Sequence, residues 1–178
     1  MTRSEQDMIL RKNSASFIRN VCQVFKDMAD VDLQVLHAGA GYSGLREHRR
    51  GMVVISHFSG MVQGDFMLST DEETAAVIAG LNPADIHDKG LCEHREMYAG
   101  LMCEALNICV HQSIGDLEAQ YGALTALPPA WIFGEYHSAD FISGVGYVGG
   151  SCGYITCSLS LNMVSLKIIE NMKSGMVG

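Results

Sequence analysis

The sequence predicts one α+β domain built from two pseudo-equivalent halves, and three observations lead there. Segments with apolar residues at three- and four-residue steps alternate with β-branched segments that turn back at glycines. A helix followed by strands occurs twice along the chain, with no sequence identity between the two occurrences. Finally, 178 residues that are 48% hydrophobic fit one compact core, so a single domain over residues 1–178 is expected.

The elements follow in order. Asn13 or Ser14 is placed to cap a first helix over about residues 14–29, whose apolar stripe is Phe17, Ile18, Val21, Val24, Phe25 and Met28. Val31, Leu33, Val35 and His37 then alternate with Asp32, Gln34 and Leu36 as an imperfect strand. The glycine-rich HAGAGYSGLREHRRG that follows lacks the Lys-Ser/Thr of a phosphate loop and is expected to be a flexible connection. Residues 51–70 read as a hairpin turning at Ser59-Gly60. Thr70 and Glu73 have the spacing of a capping box, opening a short helix that Gly80 ends.

LNPADIHDKG leads into the longest periodic segment, Leu91 to Glu118. Beyond it, Ala126 to Gly134 is an extended apolar run in which Pro128-Pro129 excludes a helix and confines its part to a strand edge or connector. Phe141–Val148 and Gly153–Leu161 are expected to form a second hairpin across Gly149-Gly150, and Ser165 to Met172 a terminal helix.

Composition excludes several functions. The formal net charge is −8 and the cations are scattered, apart from Arg46, Arg49 and Arg50, so no nucleic-acid partner is expected and one with a basic rim is. No apolar run approaches the length of a membrane span and no leader pattern opens the chain, which points to a cytoplasmic protein. The six cysteines contain no C-x-x-C pair and read as reduced, mostly buried thiols. The seven histidines make no H-x-x-x-H or H-E-x-x-H pair, and Cys92 with His94 is a poor ligand set, so neither a metal nor a cofactor of its own is expected. No pairing of a serine with a histidine that the sequence can locate supports serine hydrolysis.

The long helix carries the one chemically suggestive pattern. Tyr98, Leu101, Met102, Ala105, Leu106, Cys109, Val110 and Leu117 collect on one side at helical spacing, while Gly100, Glu104, Asn107 and His111 form a polar row opposite. A solvated face is the ordinary reading of such a row. Asn, however, is an unfavourable choice in mid-helix, because its side chain competes for backbone groups.

The segment Glu104-Ala105-Leu106-Asn107-Ile108 resembles the central helix of the CheX/CheC family of chemotaxis phosphatases, whose signature is E-x-x-N. The first hairpin, the proline-containing run ending at Gly134 and the closing hairpin of Gly146 to Leu161 are similar to family features in the same order, so the resemblance spans about residues 8–165. It implies a CheC-like fold, with long helices packed on a mostly antiparallel sheet, and a homodimer. The implied activity is hydrolysis of the aspartyl phosphate on a CheY-type response-regulator receiver domain, which brings its own Mg²⁺. In that reaction Asn107 orients the attacking water and Glu104 pairs with the receiver's lysine. The first helix has no E-x-x-N, so a single, CheX-like site is implied. His111 stands where the family commonly has a small residue, which makes it a candidate modulator and leaves a catalytically inactive interaction module as the alternative.

Overall fold

A computed structural model of the chain describes residues 3–42, 51–82, 94–134 and 141–162. The first helix, α1 (Arg3–Ala29), begins well before the expected start. Leu10 extends the apolar stripe by nearly two turns, so Asn13 and Ser14 are buried inside the helix and do not cap it. The Asn13 carboxamide donates instead to the Ile9 carbonyl at 2.8 Å. Ser14 fits because the residue opposite is Gly144, whose absent Cβ would occupy the same space.

Three strands follow, β1 (Gln34–Tyr42), β2 (Met52–Gly60) and β3 (Gly64–Thr70), then a short helix α2 (Glu72–Ile78) and a long helix α3 (Arg95–Tyr121). The chain continues through β4 (Leu124–Ala126), β5 (Ala130–Phe133), β6 (Phe141–Gly150) and β7 (Gly153–Asn162). All seven strands share one antiparallel sheet in the order β1-β6-β7-β3-β2-β4, with β5 also on β2. β3 and β7 join the hairpins at the centre, from Gly64↔Leu161 to Ser69↔Thr156. Each half lends its outermost strand to the other's hairpin: β1 lies on β6, and β4 with β5 lies on β2. The expected repetition of helix and strands is thus a pseudo-two-fold arrangement about the β3–β7 seam.

Helix α1 packs on β1, β6 and β7, α3 packs on β2 to β5, and the two helices pack on each other. One continuous core results, with Phe17, Phe25, Phe58, Phe66, Tyr98 and Met102 among its fully buried side chains. Phe66 is central, its ring 5.0 Å from that of Phe17 and 5.3 Å from that of Phe58.

Local details depart from the sequence reading for identifiable reasons. The glycine-rich stretch is partly strand, since β1 runs to Tyr42 and pairs with β6 as far as Ile142. Residues 43–50, with the three arginines, lie outside the described residues. The first turn falls at 61–63, because Ser59 and Gly60 are still paired with Thr125 and Leu124. Likewise Gly149 and Gly150 are still paired with Tyr154 and Gly153, so the second turn is Ser151–Cys152. Asp71, not Thr70, caps α2: its carboxylate accepts from the Thr74 N–H at 2.7 Å and the Thr74 hydroxyl at 2.8 Å. Thr70 is drawn away to donate to the Tyr154 carbonyl at 2.6 Å. The proline pair bridges two short strands on the same neighbour. The expected terminal helix at 165–172 lies outside the described residues.

Two glycines separate packing from propensity. A Cβ at Gly64 would collide with the Ser160 backbone and the Phe58 ring, whereas one at the exposed Gly115 in α3 would meet nothing. In urea denaturation, Gly64→Ala is expected to lose about 1–3 kcal/mol, and Gly115→Ala to gain about 0.5–1 kcal/mol.

Candidate functional site on the long helix

Along α3 the side chains of Tyr98, Met102, Ala105, Leu106, Cys109 and Leu117 are buried against the sheet and α1. Gly100, Glu104 and His111 are exposed on the other side and Asn107 is half-buried, so the expected polar row is one face of the helix. The Glu104 carboxylate has no hydrogen-bond or ion-pair partner among the described residues. His111 is not free in the same sense, since its Nδ1 lies 2.8 Å from the Asn107 carbonyl oxygen. A carbonyl only accepts, so this ring nitrogen donates.

Three anchors place this face. At the start of α3, the Arg95 guanidinium grips the Glu72 carboxylate with both oxygens, Nε to Oε2 at 3.0 Å and Nη2 to Oε1 at 3.1 Å. Tyr98 donates to the same carboxylate at 2.8 Å. The guanidinium also lies 4.6 Å from the centre of the Phe133 ring, which Tyr98 meets edge-on. α2, α3 and β5 are thereby pinned at one point. In mid-helix the Asn20 carboxamide donates to the Ser113 hydroxyl at 2.9 Å, fixing α1 against α3. At the far end Gly122, with φ of 81°, closes the helix onto the Glu118 carbonyl, and the Glu118 carboxylate accepts from the Leu124 N–H at 3.0 Å.

Sequence reasoning missed the Arg95–Glu72–Tyr98–Phe133 cluster. Glu72 is 23 residues from Arg95, 26 from Tyr98 and 61 from Phe133 in the chain, and no local pattern links it to them. It also missed the pair between His57 Nδ1 and the buried Asp65 carboxylate at 2.9 Å, although the two are direct cross-strand partners on β2 and β3.

Other chemistries find little to work with. Cys22, Cys103 and Cys152 have thiols pushed up by burial, and that of Cys109 is pushed up to about 12, which disfavours the reactive thiolate. Among the described residues no group of three or more His, Cys, Asp or Glu could hold a metal ion. No described helix is long and apolar enough to cross a membrane. The outer face of α1 exposes Lys12, Arg19 and Gln23 and carries no E-x-x-N.

The strand order and the packing of the two long helices make a CheC-like fold. No protein-family model matches the chain and no curated protein matches it. Solved structures do. CheX of Borrelia burgdorferi, in a complex with CheY, BeF₃ and Mg²⁺, is 22% identical, with a TM-score of 0.65 over 83% of this chain and 96% of that one. The chemotaxis protein CheX of Desulfovibrio desulfuricans is 11% identical, with a TM-score of 0.66 over 85% and 99%. A CheC-like superfamily protein of a Shewanella species is 14% identical, with a TM-score of 0.63 over 83% and 96%. At these identities the likeness establishes the fold: this chain has the architecture of the CheX and CheC-like chemotaxis proteins.

The pin has a titration signature. Burial, and then the Glu72 carboxylate, push the Tyr98 hydroxyl from 10.0 up to about 12, and burial pushes the Cys109 thiol from 9.0 to about 12. Both groups keep their protons in the folded chain after the unfolded chain has lost them. Their contribution to stability is therefore complete below pH 9 and is lost as the pH rises towards 12. Denaturation midpoints measured from pH 8 to pH 11 are expected to fall above about pH 9, and less steeply in Tyr98→Phe. Glu72→Ala, which leaves Arg95 and Tyr98 without this acceptor, is expected to cost about 2–3 kcal/mol at neutral pH.

Proposed function

We propose that this protein is a CheX-like phosphatase that hydrolyses the aspartyl phosphate of a CheY-type receiver domain, with Glu104 and Asn107 as its working residues. The observation that carries the reading is the pairing of an unengaged carboxylate with a carboxamide one turn away, on the exposed face of a helix anchored at its start, middle and end. The fold shared with a CheX bound to CheY supports the choice of partner.

The chemistry suits so small a site. An acyl phosphate is already reactive, and on a receiver domain Mg²⁺ and a lysine neutralise the phosphoryl oxygens, so the phosphatase has to dock and to hold a water in line. Asn107 offers a donor and an acceptor on one side chain, enough to fix a water's orientation. Glu104, exposed and lacking a counter-ion within the described chain, pairs with the receiver's lysine and sets the register of the two proteins. No cofactor of the protein's own enters the reaction. The homodimer belongs to the same reading. Its support is the outer strand β1, where Val35 and Leu36 are 48% and 56% exposed at the sheet margin.

The decisive assay is the decay of a phosphorylated receiver from the same organism, with Mg²⁺ and this protein. Asn107→Ala is expected to lower turnover by at least about 10²-fold while leaving binding in place. Glu104→Ala is expected to weaken binding by about 10–100-fold. Normal hydrolysis by Asn107→Ala would sink the proposal. Binding without acceleration by the unaltered protein would point instead to the inactive interaction module, a reading that the bulky His111 on the same row favours. Light scattering checks the dimer: Leu36→Lys is expected to shift the mass to that of one chain without loss of fold.

A further inference from the structure

We infer that His111 is the third member of this site and accepts the proton of the attacking water, an inference that rests on the phosphatase reading above. The ring is exposed, on the same face as Glu104 and one turn beyond Asn107. Its Nδ1 donates to the Asn107 carbonyl at 2.8 Å, and that single contact has two consequences. It leans the imidazole back over the turn that carries Asn107, the direction in which helical side chains point. It also assigns the proton of the neutral ring to Nδ1, so that Nε2 carries a lone pair. No further hydrogen bond engages this ring among the described residues.

An amide and an imidazole acceptor on adjacent turns can hold one water between them. Asn107 supplies orientation, and Nε2 accepts one of the water's protons. In the reaction the water oxygen forms the new bond to phosphorus. The bond from phosphorus to the receiver's aspartate oxygen breaks, its electron pair going to the carboxylate. The water proton passes to Nε2, and the imidazolium releases it to the solvent around the exposed ring. Acceptance of this proton as the new bond forms is general-base assistance, for which a positioned side chain contributes factors of about 10² or more. The histidine therefore belongs to the chemistry and does not merely crowd the docking surface.

The test follows the dephosphorylation of one ³²P-labelled receiver by the full-length protein, His111→Ala and Asn107→Ala, with and without added imidazole. His111→Ala suits the helix, and its fold is verified by circular dichroism. It is expected to lower kcat about 10²-fold with KM and affinity for the BeF₃-loaded receiver unchanged, and free imidazole is expected to restore the rate. Imidazole with the receiver alone, or with Asn107→Ala, is expected to restore nothing, which excludes direct attack by imidazole on the phosphate. An unchanged kcat in His111→Ala overturns the inference, as does a loss confined to KM or one that imidazole does not rescue. In each of those cases a dead Asn107→Ala leaves the phosphatase reading intact. If the unaltered protein accelerates no receiver, the phosphatase reading falls, and this inference falls with it.

Discussion

Neither half of this chain can cover its own helix. Helix α1 lies on β1 of its own half but otherwise on β6 and β7, and α3 lies on β4 and β5 of its own half but otherwise on β2 and β3. The apolar faces of both helices are therefore buried only when the hairpins have met along β3 and β7, and the edge strands have crossed to the opposite hairpin. Long-range strand pairing and helix burial become one event, in which the entropy lost by ordering distant segments is offset by a single shared core. Phe66 on β3, touching Phe17 of α1 and Phe58 of β2, shows how closely the layers depend on that seam.

The same interlock makes α3 a rigid platform. Its inner face is fixed by strands of both halves, its start by the Glu72 pin and its middle by Asn20 of α1. Side chains presented by such an element are held to the accuracy of the core beneath them. Ala105, small and fully buried between the two site residues, lets the helix sit close to its neighbours. The pseudo-symmetry ends at the surface, since α1 is its counterpart in packing but offers Lys12 and Arg19 outward.

Much of this was legible locally. Apolar spacing identified α3 and its two faces, and the row from Gly100 to His111 is where the 3.6-residue period puts it. Both hairpins and the interrupted strand around Pro128-Pro129 were also readable, because alternation and missing N–H groups are properties of single segments. The errors cluster where a local signal was outcompeted by a distant one. Asn13 and Ser14 look like caps until Leu10 is seen to be core. Thr70 looks like a cap until Tyr154 takes its hydroxyl. Glycines at 39 and 41 look like a loop until β6 pairs with them.

By itself, then, the sequence determined the element types, the helix-and-strands order of each half and the side of α3 that faces outward, since these follow from periodicity within a segment. Tertiary structure alone decided which hairpin each helix would cover, where turns and caps would fall, and how Arg95, Glu72, Tyr98 and Phe133 would meet. It also decided what His111 does with its ring, because a side chain's hydrogen bond depends on rotamer and surroundings that residue spacing does not encode.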